Sequence, residues 1–374
     1  MSRTGPLIDI IAGARPNFMK IAPIIRALER RQSEGVRLRY RLVHTGQHYD
    51  ARMSGDFFAQ LGIPSPDVNL EVGSGTQAEQ TAAIMTRYEQ LLIRAASDMC
   101  VVVGDVTSTM ACAITAQKQR TRVAHVEGGI RSGDWTMPEE INRRVTDSIT
   151  NYFFTTSRFA NENLQREGVK QEQIFFVGNT MIDSLLSNLH RLVPPPFWQE
   201  RELKPGGYLV MTLHRPSNVD DAVTLERLLR AVCTSARGLP IIFPVHPRTA
   251  KNVRVIEGLP SSLVLVDPQP YLEFNYLVRH ARAVITDSGG ITEETTVLGV
   301  PCITMRDTTE RPETVSVGTN ELIGTDPGRL RPVMDILFES KWKQGSVPEL
   351  WDGNAGARIV AVLESLLGCA VDRR

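Results

Sequence analysis

Short apolar runs alternate along the whole chain with longer stretches of helical periodicity. Runs at Leu7–Ile11, Arg39–His44, Cys100–Val103, Arg122–Val126, Phe153–Thr156 and Ile174–Val177 read as strands. A second series follows at Tyr208–Thr212, Ile241–Val245, Leu263–Val266, Ala283–Thr286 and Cys302–Met305. Between them, Phe18–Arg31, Gln77–Ala95, Ser108–Gln119, Glu139–Ile149 and Leu225–Ala236 have the length and apolar spacing of helices. Continuously apolar strands joined by helices predict parallel sheets covered on both faces. The fold class is therefore α/β, and the length accommodates two such sheets.

The stretch Leu192–Gly207 is the expected domain boundary. It holds Pro194-Pro195-Pro196 and Pro205-Gly206-Gly207 before a strand restarts at Tyr208, and Pro and Gly runs of this kind punctuate elements. The predicted domains are residues 1–190 and 205–354, bridged by a helix over Met181–Leu192. A last helix, Ala355–Leu367 within the tail 355–374, is expected to pack back on the first domain.

Composition narrows the function classes. The 374 residues carry 42 Lys plus Arg against 42 Asp plus Glu, so no overall field favours nucleic acid or a membrane surface. An anionic ligand must be held by local groups. No apolar run approaches the roughly 18 residues of a membrane span. The opening MSRTGPLIDIIAGARPNF reads as a buried first strand rather than a signal peptide. Five scattered cysteines without CxxC spacing predict buried free thiols in a reducing cytoplasm, with no disulfide frame and no metal site.

In open parallel sheets, ligands bind beyond the carboxyl ends of the strands. In this chain those ends are unusually polar. The first-half strands run into Gly13-Ala14-Arg15-Pro16-Asn17, His44-Thr45-Gly46-Gln47-His48-Tyr49-Asp50, Gly104-Asp105-Val106-Thr107-Ser108 and His125-Val126-Glu127-Gly128-Gly129. The second-half strands run into His214-Arg215-Pro216, His246-Pro247-Arg248, Asp287-Ser288-Gly289-Gly290 and Arg306-Asp307-Thr308-Thr309. His44, His48, His125, His214 and His246, out of 7 histidines, fall at or near such ends. This pattern predicts a site between the two domains.

Each segment also has an ordinary reading. The small residues of Asp287–Glu294 suit phosphate at a helix N-terminus, but Asp287 or Ser288 also reads as a plain N-cap. Alone, Arg15 reads as a loop arginine and Lys20 as a solvated helical lysine. Asp105 reads as an N-cap, and Glu140 as a partner of the helix dipole. Glu127 differs, because a carboxylate between Val126 and Gly128 is awkward in a plain core. The chain lacks GxxxxGK[ST], HExxH and GxSxG, and Gly73-Ser74-Gly75 is no dinucleotide fingerprint.

Taken in order, the segments resemble one family. GARPNFMKIAP, TGQHYD, GDVTST, HVEGGIRSGD, MPEEINRRVTD, GNTMID, LHRPSNVD, PVHPRT, TDSGGITEE and MRDTTERPE are together similar to non-hydrolysing UDP-N-acetylglucosamine 2-epimerases over nearly the whole chain. The resemblance implies two Rossmann-like, doubly wound domains facing a cleft, as in glycosyltransferases of the B type, with the second domain binding UDP. It implies reversible epimerisation of UDP-GlcNAc to UDP-ManNAc by a cytoplasmic homodimer without cofactor. It assigns Asp105, Glu127, Glu139, His214, Arg143 and Lys20 to catalysis. Arg15, Ser288, Gly289, Gly290, Glu294 and Arg311 are assigned to substrate and UDP.

One departure bears on regulation. Many bacterial members have a second Gln soon after the Gln-His pair, and His-Arg-Arg-Glu where this chain has His214-Arg215-Pro216-Ser217. Those positions help to hold an activating second UDP-GlcNAc. Gln47, His48, Arg215 and His246 are the allosteric candidates here, and weakened, altered or absent activation is expected. The competing readings are a hydrolysing epimerase, a sister enzyme acting on UDP-2,3-diacetamido-uronic acids, a glycosyltransferase of the same build, and a silent UDP-sugar sensor.

Overall fold

The computed structural model describes residues 5–46 and 60–369. It divides into two compact units, one formed by Met1–Ser187 with Glu349–Arg374 and the other by Asn188–Pro348.

In the first unit, strands β1 (Leu7–Ala12), β2 (Arg39–His44), β3 (Val68–Asn69), β4 (Met99–Val103), β5 (Arg122–Val126), β6 (Tyr152–Thr155) and β7 (Ile174–Phe176) form a sheet ordered β3-β2-β1-β4-β5-β6-β7 among the described residues. Every pairing is parallel. Its helices include α1 (Arg15–Ser33), α2 (Gln77–Arg94), α3 (Thr107–Lys118), α4 (Pro138–Ser148), α5 (Arg158–Arg166) and α6 (Thr180–Asn188). Strand order reverses between β1 and β4, so the loops after those two strands open side by side.

The second unit repeats the plan. Strands β8 (Leu209–Thr212), β9 (Ile241–Pro244), β10 (Leu263–Val266), β11 (Ala283–Thr286), β12 (Cys302–Thr304) and β13 (Asn320–Leu322) run parallel in the order β10-β9-β8-β11-β12-β13. Its switch point lies between β8 and β11, where Thr212 and Thr286 are in register and their hydroxyls meet at 2.7 Å. Leu209, Met211, Ile241, Phe243 and Ile285 pack on one face of the sheet. Tyr208, Val210, Ile242, Val284 and Cys302 pack on the other. Burial on both faces is why these strands read as unbroken apolar runs. Helices α7 (Ala222–Ser235), α8 (Pro247–Val253), α9 (Tyr271–His280), α10 (Gly289–Leu298), α11 (Pro312–Ser316) and α12 (Leu330–Phe338) accompany the strands.

The Pro-rich Leu192–Gly207 stretch falls inside the second unit, where Trp198 packs edge-on against Tyr208 and Tyr276. The last helix, α13 (Ala355–Leu367), packs on α1 of the first unit. The Asp183 carboxylate accepts the amides of Ala355 and Gly356 at 3.1 and 2.7 Å. Arg31 holds Glu364 through two bonds of 2.7 and 2.8 Å. Four of the five cysteines (Cys100, Cys112, Cys233 and Cys302) are buried free thiols, and Cys369 is half-buried. No helix among the described residues is long and apolar enough to cross a membrane.

Candidate active site

The first unit gathers its chemistry at the β1/β4 switch point. The Asn17 side chain braces the loop after β1, accepting the amides of Gly13 and Ala14 at 3.0 Å each and donating to the Val103 carbonyl at the end of β4. Gly13 has to be glycine. A Cβ there would stand 2.1 Å from the Ser108 hydroxyl oxygen. The brace fixes the start of α1, so that Lys20, one turn in, points inward and is buried. Its ammonium meets Glu127 Oε2 at 2.8 Å. The backbone of Arg15 is described as the first residue of α1, but its side chain is not.

Glu127 is buried and sits at φ 72°, in the left-handed region. Such a conformation costs a non-glycine residue roughly 1–3 kcal/mol and concentrates at functional sites. Its amide is tied to the Phe154 carbonyl at 2.9 Å. Asp105, after β4, receives Arg143 Nη2 at 2.5 Å, and its side chain keeps 30% of its exposure. Burial opposes ionisation of Asp105, but Arg143 and Lys20 outweigh it, so its carboxyl lies below the usual carboxylate range. The cap of α3 is Val106 without a side-chain cap bond, so Asp105 is not the N-cap that its position suggests.

Helix α4 supplies most of the counter-groups. Asn142 donates to the Asp105 carbonyl at 2.9 Å. Arg143 also reaches Glu140 at 2.9 Å. Glu140 is fully buried and takes Arg144 and Ser132 as well. This corrects its reading as a mere dipole partner: it orients Arg143. Glu139, one residue earlier, is half-exposed in the first turn.

The histidines divide. His44 is buried, stacked on Phe18 at 5.6 Å between ring centres, and its Nδ1 accepts the Gly46 amide. His125 is fully buried on β5. Neither imidazole faces ligand space, so these two do not carry the expectation drawn from strand-end histidines. Gln47 and His48 lie outside the described residues.

In the second unit the switch point holds His214. Asp287, at the end of β11, accepts the His214 amide through both oxygens at 3.1 Å, the Arg215 amide at 2.9 Å and the Asn218 side chain at 3.1 Å. It also faces His214 Nδ1 at 3.0 Å. Burial pushes the Asp287 carboxyl up, but His214 and these donors hold it below the usual range. Asp287 therefore anchors the His214 loop across the sheet rather than capping α10. Ser288 occupies that cap position without a side-chain cap bond. His246 lies 5.7 Å from His214, ring to ring, with its Nδ1 accepting the Arg248 amide. Burial and the neighbouring His214 lower its pKa.

Past Ser288, Gly289 and Gly290 open α10 and lead to Glu293 and Glu294. Glu293 takes the Arg311 guanidinium. Among the described residues Glu294 forms no ion pair; burial raises its carboxyl to about 7 despite hydrogen bonding to Tyr271 and Asn275. Arg215 and Arg306 share Glu310 at 3.5 and 2.7 Å. Sequence reasoning missed Asn17, Asn142, Asp147 and Glu310, and read Glu140 only as a dipole partner. Their signal was positional, since each lies within a few residues of a strand end or on the buried face of α4.

A profile of the family described as UDP-N-acetylglucosamine 2-epimerase matches residues 28–364. The UDP-N-acetylglucosamine 2-epimerase of Methanocaldococcus jannaschii is 39% identical over 368 residues, covering 95% of this chain and 98% of that protein. A UDP-2,3-diacetamido-2,3-dideoxy-D-glucuronate 2-epimerase of Pseudomonas aeruginosa is 38% identical over 365 residues, covering 95% and 99%. The crystal structure of the M. jannaschii enzyme in complex with UDP-GlcNAc and UDP superposes with a TM-score of 0.85, covering 96% of this chain and 99% of that one.

Proposed function

The chain belongs to the UDP-N-acetylglucosamine 2-epimerase family, and from that premise we propose that it interconverts UDP-GlcNAc and UDP-ManNAc without releasing free sugar. The observation that carries this reading is the Lys20–Glu127 and Arg143–Asp105 pairing at one switch point. It sets two carboxylates beside cations, with no nucleophile elbow or phosphate loop in the sequence.

The C2 proton of the sugar is not α to a carbonyl, so enolisation cannot remove it. A carboxylate that takes this proton while UDP leaves C1 produces a 2-acetamidoglucal. Return of UDP with protonation of C2 from the opposite face gives the epimer. Two faces call for two acid/base groups, drawn from Asp105, Glu127 and Glu139. General acid–base help of this kind is worth roughly 10²–10⁴-fold. Asp105, ionised and partly open, suits the base. Lys20 and Arg143 keep the negative charges in place. His214 and the Ser288–Gly290 turn suit the charge developing on the leaving diphosphate. Glu294 and Arg311 recognise the nucleoside, and the active species is a homodimer.

A second reading has specific support, because the 2,3-diacetamido-uronate relative is nearly as similar. Thr309-Glu310-Arg311-Pro312 favours UDP-GlcNAc. Product analysis with each sugar nucleotide decides between them. Appearance of UDP-ManNAc with no free N-acetylmannosamine or UDP supports the proposal. Turnover of the uronate alone, or release of free sugar, rejects it.

A further inference from the structure

We infer that His125 is a positioning residue that holds Asp105 through the backbone of Gly104, with Asp147 as its anchor. This rests on the proposed function for its catalytic consequence, though not for its geometry.

His125 is fully buried, and each of its ring nitrogens has an oxygen partner. Nε2 lies 2.7 Å from the Gly104 carbonyl. Nδ1 lies 2.6 Å from Asp147 Oδ1. A backbone carbonyl can only accept, so Nε2 must be the donor there. The Asp147 carboxylate is an acceptor as well, because it also takes the Gly129 amide at 3.0 Å and Arg131 Nη1 at 2.6 Å on its other oxygen. Burial opposes charge on Asp147, but His125 and Arg131 hold its carboxyl below the usual range. The ring is thus fixed at both ends and donates in two directions.

What it grips is the residue just before Asp105. The Gly104 amide is bound to the Val126 carbonyl at 3.0 Å, so both polar backbone groups of Gly104 are held by β5. The next carbonyl, that of Asp105, receives Asn142. Gly104 adopts φ 66°, and a Cβ there would stand 2.8 Å from Lys20 Nζ. The ammonium that pairs with Glu127 therefore rests against the same peptide. A shift of the Gly104–Asp105 peptide would move both the proposed base and the cation beside Glu127. Misplacement on the scale of 1 Å can cost about 10²-fold in rate.

Two substitutions separate this role from plain structural support. In H125Q the amide nitrogen reaches the place of Nε2, keeping the Gly104 bond and giving up Asp147. In H125N it takes the place of Nδ1, keeping Asp147 and giving up Gly104. The proposal expects kcat to fall about 10²-fold in H125N and less than about tenfold in H125Q, with KM and UDP affinity unchanged in both. Losses that follow thermal stability instead, or are equal in the two variants, overturn it.

Wild-type turnover of UDP-GlcNAc is measured first, and its absence refutes the proposed function alone. The clamp is read independently from the Asp105 carboxyl signal in ¹³C-aspartate-labelled protein. That signal should move in H125N and stay in H125Q; the reverse pattern, or no movement in either, overturns the inference. If a variant fails to fold, wild type labelled with ¹⁵N-histidine and ¹³C-carbonyl glycine gives the test. A through-bond coupling between His125 Nε2 and the Gly104 carbonyl supports the clamp, and its absence refutes it.

Discussion

Asp105 lies in the loop after β4 and Glu294 in α10, the helix after β11, in two units of like topology, yet their carboxyls behave oppositely. Burial works against the charge of both. Asp105 has Arg143 and Lys20 beside it and stays ionised below the usual range. Glu294 is hydrogen-bonded by the neutral Tyr271 and Asn275 and rises to about 7. The difference shows that the number of cations near a buried carboxyl, rather than burial itself, decides its state. It also fits a division of labour, with proton chemistry in the first unit and adjustable hydrogen bonding to a nucleoside in the second.

The largest expected effect breaks the first half of this comparison. D105N should lower kcat by about 10²–10⁴-fold with UDP affinity intact, measured by steady-state kinetics and calorimetry. R143Q should sharpen it: without the guanidinium the Asp105 pKa rises, so the acidic limb of the kcat profile moves to higher pH. Next comes G104A. The added methyl must displace Lys20 Nζ, and kcat should drop about 10²-fold without loss of UDP binding.

The second half is tested by pH and stability. Glu294 ordinarily ionises near 4.5 and here near 7. Between those values the folded chain keeps a proton that the unfolded chain releases, so stability falls as pH rises through that window. E294Q is neutral at every pH. Relative to wild type it should gain up to about 3 kcal/mol in unfolding free energy between pH 4.5 and 8, at about 1.4 kcal/mol per pKa unit. Denaturant titrations at both pH values check this, and a constant difference would contradict it. The smallest effect concerns regulation. With Ser217 in place of a glutamate, the rate curve with UDP-ManNAc should be hyperbolic and insensitive to traces of UDP-GlcNAc.

The fold was legible because strands buried on both faces leave continuous apolar runs, and eleven of these were read to within about a residue at each end. Val68–Asn69 and Asn320–Leu322 were not, since strands this short and polar leave no run to detect. At the candidate site, strand-end polarity pointed to Asp105, Glu127 and His214. It could not tell a ligand-facing imidazole from a clamp, and so His44 and His125 were grouped with His214. Glu140 was read only as a dipole partner, and Asp147 was not singled out, for a related reason. Their significance lies in burial against Arg143 and His125, which is a property of how α4 packs and not of any local pattern.

The most direct test of the account is proton NMR of the purified protein with UDP-GlcNAc in D₂O, without added metal or nucleotide cofactor. The account predicts growth of UDP-ManNAc signals with deuterium entering C2 of both epimers. Accumulation of free N-acetylmannosamine and UDP, or epimerisation that leaves C2 protonated, would contradict it.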